Sequence, residues 1–332
     1  VISMSVSEQL ESWMSAAGCT QMKPSGDNII STCPFHNDTH RSFSVNSKTG
    51  KWICFSESCG MQGGLISFLV NGVGMSAKRA VKLADSFITS PTALFDDKWA
   101  ELPDWKSKNT ELADPGMPER LVALYEFCPA YLRKRGFIPR IMQKWEIGYD
   151  FEGKRITLPV RDSSGRLVGI SKRATDNQKY EKYLHLNFKK SQYLYGEHLN
   201  PSARCVWVGE GQLDAIALYQ MAELNKIEGV DLCVATMGAR VSKTQIDEIM
   251  KYDSVVLAFD NDRDGIQAAS KIGEAMLAEG RCPQVACAYP DGIKDPGDLL
   301  GCTTIEQLRF FSELAPFDLV RLSGLWYKFM VH

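Results

Sequence analysis

No stretch of this 332-residue chain is apolar for long enough to cross a bilayer, because its hydrophobic runs are short and interrupted. No segment shows the charged, apolar and small-residue succession of a signal peptide. The ten cysteines lack the spacing of a small secreted disulfide scaffold, so a reducing cytoplasm is the expected setting. A large net charge is missing as well, with 38 Lys+Arg against 40 Asp+Glu. What is present is ordinary for a globular protein of two or three domains: 44% hydrophobic and 23% charged residues.

The near-neutral total conceals an asymmetry. Residues 1–119 hold 10 Lys+Arg against 13 Asp+Glu (−3), residues 120–200 hold 16 against 8 (+8), and residues 201–332 hold 12 against 19 (−7). A basic middle beside an acidic half suits an enzyme that handles polyanions: one part attracts phosphates and the other needs a cation. A solvated surface with no such role produces the same asymmetry.

The acidic half closes hydrophobic runs with carboxylates. Glu210 follows CVWVG, Asp260 and Asp262 follow SVVLAF, and Asp291, Asp295 and Asp298 follow QVACAYP. Short apolar strands alternating with helices over 204–290 predict a largely parallel sheet covered on both faces, with ligands gathering beyond the carboxyl ends of its strands. Carboxylates converging there repel one another and call for a hard divalent ion, Mg²⁺ or Mn²⁺, which also carries phosphates. Glu210 either holds metal or acts as acid/base, Asp214 supports the site or caps a helix, and Asp264 is the expected cap of the helix after it. Nucleotide polymerisation, strand cleavage and phosphate hydrolysis all fit this spacing.

Near the start, Cys33 and His36 (C-x₂-H) and Cys54 and Cys59 (C-x₄-C) supply three thiolates and an imidazole, a closed tetrahedral shell for structural Zn²⁺. His40 is an alternative to His36. Residues 42–55 read as a hairpin turning at Lys48-Thr49-Gly50 and carrying the third ligand, and two short helices follow, the second capped by Ser76. Trp52 and Phe55 either stack on a base or pack beside the metal.

In the middle segment a helix runs to Arg135, Gly136 stops it, Pro139 opens the next turn, and residues 153–174 form a hairpin at Ser163-Ser164-Gly165. Arg133, Arg135, Arg155, Arg161, Lys172, Arg173, Lys179 and Lys182 are candidate phosphate contacts. Tyr180, Tyr183 and Tyr193 among them are candidate base-stacking groups or core residues.

These motifs resemble one family, the bacterial-type (DnaG-like) DNA primases, including phage relatives. CPFH, ICFSESCG and GGLISF look like its CHC2-type zinc-binding domain. YLRKRGF, ITLPVRDSSGRLVGISKR and KYLHL resemble the basic half of its polymerase domain; GEGQLDAIAL, FDNDRDG and DGIKDPGDLL resemble its Toprim half. The resemblance implies a multidomain α+β protein: a β-rich zinc module at 1–89, a linker at 90–117, a basic mixed α/β part at 118–200, a Toprim α/β sheet at 201–300 and a C-terminal helical segment at 301–332.

The implied activity is RNA primer synthesis on single-stranded DNA from ribonucleoside triphosphates, in the cytoplasm of a bacterial cell or a phage-infected host. It implies zinc at Cys33, His36, Cys54 and Cys59, and catalytic Mg²⁺ or Mn²⁺ at Glu210, Asp260, Asp262 and Asp295. Arg133, Arg155, Lys172, Arg173 and Lys182 would contact template or triphosphate, an RNA–DNA product would form, and a replicative helicase is a further partner. Two features depart from the family pattern. The second cysteine pair has four intervening residues where two are usual. Gly297 stands where the family's KDPDE has a carboxylate, which Asp298 replaces only if the loop shifts. Toprim-type nucleases or topoisomerase-like enzymes and a non-catalytic nucleic-acid-binding replication module are the alternatives, and no tyrosine stands in a convincing DNA-cleavage setting.

Overall fold

The computed structural model describes residues 6–56, 59–87, 117–175, 181–186 and 188–323. Lys179, Tyr180 and the expected linker up to residue 116 lie outside them. Among the described residues no helix is long and apolar enough to cross a membrane.

The first module opens with helix α1 (Val6–Ala16), which the sequence reading did not anticipate. Leu10, Trp13 and Met14 recur at helical spacing and are buried. An antiparallel sheet follows in sequential order: β1 (Lys23–Ser25), β2 (Asn28–Ser31), β3 (Phe43–Asn46), β4 (Trp52–Cys54) and β5 (Gln62–Gly63). The β3–β4 hairpin turns where expected, with Gly50 at φ +67°. Helices α2 (Leu65–Asn71) and α3 (Ala77–Phe87) cover the sheet, α3 through buried Ala80, Val81, Ala84 and Phe87. Trp52 is 2% exposed and packs with Phe35, Phe43, Phe68 and Phe127. Its indole donates to the Gly64 carbonyl, so it is a core residue and not a stacking platform. Phe55 is 70% exposed, at the edge of a 320 Å³ cleft between this module and residues 126–147.

Three short helices, α4 (Arg120–Tyr125), α5 (Ala130–Lys134) and α6 (Pro139–Lys144), lead into a second antiparallel sheet: β6 (Gly148–Asp150), β7 (Arg155–Arg161), β8 (Leu167–Ala174) and β9 (Tyr183–Leu186). Gly136 ends the α5 segment at φ +89° and Pro139 opens α6. The β7–β8 turn is organised by Asp162, whose Oδ1 accepts from the amides of Ser164 and Arg166.

The third sheet is built from β10 (Cys205–Gly209), β11 (Leu232–Ala235), β12 (Ser254–Leu257), β13 (Gln284–Ala286) and β14 (Leu314–Pro316), in the order β11-β10-β12-β13-β14. The first four are parallel and β14 is antiparallel to β13. Helices α7 (Gln212–Asn225), α8 (Lys243–Ile249) and α9 (Arg263–Ala278) connect the parallel strands, followed by α10 (Thr304–Ser312) and α11 (Phe317–Ser323). Residues 301–332 are expected as a C-terminal helical segment; the described part holds α10 and α11 and also returns a strand to the sheet between them. Interior strand β10, between β11 and β12, is buried on both faces, with Val206, Trp207 and Val208 at most 2% exposed, as a covered parallel sheet requires. The Ser242/Gln245 and Thr303/Glu306 pairs form reciprocal caps at the starts of α8 and α10.

Candidate active site and metal centre

Cys33 and His36 lie in the turn after β2, Cys54 ends β4, and Cys59 follows in the knuckle before β5. Their ligand atoms all fall within 4.8 Å of one another. Cys33 Sγ and Cys59 Sγ are 3.9 Å apart, and Cys54 Sγ is 4.0 Å from His36 Nδ1. Zinc–sulfur bonds of ~2.3 Å at tetrahedral angles put two thiolates about 3.8 Å apart, so the four donors fit structural zinc. His36 belongs to the cluster and His40 does not. Asp38 Oδ2 accepts from the Cys33 amide and the Ser42 hydroxyl, fixing the ligand turn. Burial raises the Cys33 and Cys59 thiols, a bias that a bound cation reverses.

The acidic centre lies where the strand order reverses. The chain passes from β10 to β11 on one side and returns to β12 on the other, so the carboxyl ends of β10 and β12 face the same crevice. Glu210 follows β10 and Asp260 follows β12. Asp260 Oδ1 is buried with no hydrogen-bond partner. Burial, then the neighbouring charges of Asp214, Glu210, Asp295 and Asp262, push the Asp260 carboxyl up to about 9. Burial, then Asp262 and Asp264, also raise Glu210, while Lys182 and Lys190 pull it down. Asp291 is exposed and is not among the groups acting on either carboxyl.

Two loops are fastened by Asp214. Its Oδ2 accepts from the Gly211 amide at 3.0 Å and its Oδ1 from the Gly297 amide at 3.1 Å. Burial and Asp295 push it up to about 7. A second tie runs from the Asn261 amide to the Lys294 carbonyl at 2.6 Å, which brings Asp295 beside Asp260. Asp262 rather than Asp264 caps α9: its Oδ1 accepts from the amides of Asp264 and Gly265, both at 3.0 Å. Asp298 turns to Arg135, 3.2 Å from Nη2, and its amide donates to Asp295 Oδ1.

The five basic candidates separate into different settings. Lys182 is exposed and acts on both Glu210 and Asp295. Arg173 Nη1 donates to the Tyr131 hydroxyl at 3.1 Å, and its guanidinium faces Tyr183. Arg155 is 7% exposed and Lys172 9%, and both turn inward, contrary to the expected phosphate contact. Arg155 Nη1 donates to the carbonyls of Lys172 and Glu181, and Lys172 Nζ to Asp150 and the Tyr125 hydroxyl. Arg133 Nη1 donates to the Cys59 carbonyl at 2.6 Å, against the zinc knuckle. Arg161 is likewise engaged, forked to both Glu119 and Glu146. Two cations toward the acidic centre carry more weight in the structure than their sequence setting suggested. Arg135 lowers both Asp214 and Asp295. Lys190 acts on Glu210 and donates to the Met237 carbonyl.

Comparison with known proteins follows the same three-part division. The CHC2 zinc finger family matches residues 9–93, the N-terminal domain of the DNA primase catalytic core matches 149–200, and the Toprim-like family matches 207–300. A DNA primase of Legionella pneumophila is 28% identical over 306 residues, covering 78% of this chain and 51% of the relative. One from Rickettsia prowazekii is 30% identical over 288 residues, covering 73% and 47%. The chain thus spans about half the length of the curated relatives it matches. The crystal structure of the zinc-binding and RNA polymerase domains of Aquifex aeolicus primase aligns at TM-score 0.50 and 19% identity, over 99% of this chain and 91% of that one, a likeness of fold. With zinc finger, catalytic-core and Toprim matches following one another along a single chain, the protein belongs to the family of DnaG-like bacterial DNA primases.

Proposed function

We propose that the protein synthesises RNA primers on single-stranded DNA, with Mg²⁺ or Mn²⁺ held by Glu210, Asp260, Asp262 and Asp295. The observation that carries this reading is Asp260: a buried carboxylate oxygen without a partner, surrounded by other carboxylates at the switch point of a parallel sheet. The metal, when bound, offsets triphosphate charge and activates the attacking 3′-hydroxyl. Asp260 gives up its proton to open the site to the cation. Glu210, at the end of β10 on the same crevice, would either help hold the metal or serve as acid/base for the hydroxyl proton. Lys182, Arg173, Arg135 and Lys190 draw the triphosphate toward the carboxylates and orient it. A phosphodiester bond forms and pyrophosphate leaves, giving an RNA–DNA product.

Within this reading the zinc-binding module covers 1–89, a linker 90–117, the basic part of the polymerase domain 118–200 and the metal-binding part 201–300. Zinc at Cys33, His36, Cys54 and Cys59 keeps the first module folded, and that module engages the template. A replicative helicase is the further partner. Incubation with single-stranded templates, the four ribonucleoside triphosphates and Mg²⁺ or Mn²⁺ tests the assignment. Metal-dependent oligoribonucleotides are the expected product. Their absence across varied templates overturns it, and strand cleavage without incorporation points to a Toprim nuclease instead.

A further inference from the structure

The candidate zinc site and the acidic centre are joined by one short segment, residues 127–136. At one end, Phe127 follows α4, bridges to Gly63 of β5 and enters the core of the zinc module, its ring 5.6 Å from Trp52 and 5.8 Å from Phe35. The Cys128 amide donates to the Gln62 carbonyl at 2.9 Å. Arg133 then reaches back to the carbonyl of Cys59, one of the four candidate ligands. The next residue, Gly60, is at φ +53°, and a Cβ there would fall 1.3 Å from Arg133 Nη1. The knuckle is therefore seated on the guanidinium with no room for a side chain between them.

Two residues farther on, Arg135 pairs with Asp298 in the loop that carries Asp295. The segment is also pinned to α7: Gln220 Nε2 donates to the Gly136 carbonyl at 2.8 Å, and its Oε1 accepts from the Ile138 amide at 2.9 Å. Gly136 packs against Leu300 so closely that a Cβ would lie 3.1 Å from it. Leu132, fully buried, holds the middle of α5 in the core.

We propose that residues 127–136 act as a rigid strut through which occupancy of the Cys/His site positions the 294–300 loop, with Arg133 as its positioning residue. A metal that orders the knuckle fixes the Cys59 carbonyl. That carbonyl fixes Arg133 and the turn of α5, and the turn sets Arg135 against Asp298. Coupling of two sites requires a physical element that both bias, and these contacts supply one. The proposal rests on zinc at the Cys/His site; its consequence for the acidic centre rests on the divalent-metal reading given above.

Hydrogen exchange of the full chain, read by mass spectrometry at residues 294–300, tests it without recourse to activity. The Gly297 and Asp298 amides, bonded to Asp214 and Asp295, are the reporters. Stripping zinc from the wild type with a chelator is expected to speed their exchange about fivefold or more. In Arg133→Met and in Gly60→Ala, which forces the guanidinium off its carbonyl, exchange is expected to be fast with zinc bound and indifferent to stripping. Arg133→Lys, which keeps a donor, restores part of the response. An unchanged loop in stripped wild type overturns the strut. So does a wild-type response in both Arg133→Met and Gly60→Ala, or loss of zinc from those variants with the loop undisturbed. Mn²⁺ binding, followed by electron paramagnetic resonance, separates the two readings. Intact coupling of exchange with no Mn²⁺ bound supports the strut and removes the metal assignment of the acidic centre.

Discussion

Gly297 and Asp214 touch across 83 residues of sequence: the glycine amide donates to Oδ1 at 3.1 Å, and a Cβ on Gly297 would lie 3.0 Å from that same oxygen. The would-be Cβ also lies 3.1 Å from Asp295 Oδ1 and 3.3 Å from Arg135 Nη2. A carboxylate at this position would join two that already repel each other. Gly297→Asp is therefore expected to lower the metal-free melting temperature by a few degrees and to widen the gap between metal-free and Mg²⁺-loaded melting. Thermal melts with chelator and with Mg²⁺ measure both; an unchanged gap would show that position 297 does not face the cation.

Asp260→Asn should move stability and activity in opposite directions. The amide spares the metal-free protein the cost of holding protonated a carboxyl that burial and four carboxylates push up to about 9, so that form should melt a few degrees higher and lose its response to Mg²⁺. Primer synthesis should fall by about 10³-fold or more. Near-normal turnover would remove Asp260 from the metal set.

Lys182 and Arg155 separate binding from folding. Lys182→Ala, at an exposed position, should change stability by less than about 0.5 kcal/mol and raise KM for triphosphate on the order of tenfold. Arg155→Met leaves the buried carbonyl of Lys172 and the carbonyl of Glu181 without this donor and should cost about 2 kcal/mol in urea unfolding, with KM little changed. The reverse pattern would exchange their roles.

Glu197 is 7% exposed; burial first, then Glu248, push its carboxyl up to about 7 against the opposing charge of Lys251. Because the folded value lies above the unfolded one, the stability it contributes is complete below pH ~4.5 and is lost as pH rises through ~7. Glu197→Gln should match the wild type at low pH and exceed it at pH 8 by about 3 kcal/mol. Urea melts across that range, with Mg²⁺ present to hold the acidic centre constant, check it; parallel pH profiles would refute it.

Cys33→Ala should reduce bound zinc from one per chain to none and abolish the cooperative melting of the first module. Metal analysis and circular dichroism read the two effects. Full zinc retention would require a different ligand set.

How much of this could be read from the sequence depended on how local each signal was. Glu210 and Asp260 were legible because a carboxylate closing an apolar strand is a local pattern. The Cys/His cluster was legible because its members come as two spaced pairs beside turns. The choice between Asp262 and Asp264 as the α9 cap was not, since both have the right chemistry and the Asn261–Lys294 tie arises from the tertiary fold. Arg155 and Lys172 look like any other cations in sequence; what turns them inward is Asp150, Tyr125 and the carbonyl of Glu181, brought alongside by sheet pairing. β14 is three residues ending in Pro316, too short to show a period. Helix α1 did carry its signal in Leu10, Trp13 and Met14.

β14 also bears on the order in which the protein can be completed on the ribosome. The loop that carries Asp295 leaves β13, and the strand that seals that side of the sheet is synthesised afterwards. A nascent chain that has emerged only as far as residue 300 holds every acidic group of the centre, yet it presents β13 as an open edge able to pair with another chain. Emergence of residues 314–316 covers the β13 edge with a strand of three residues that ends in Pro316 and offers a shorter template for such pairing.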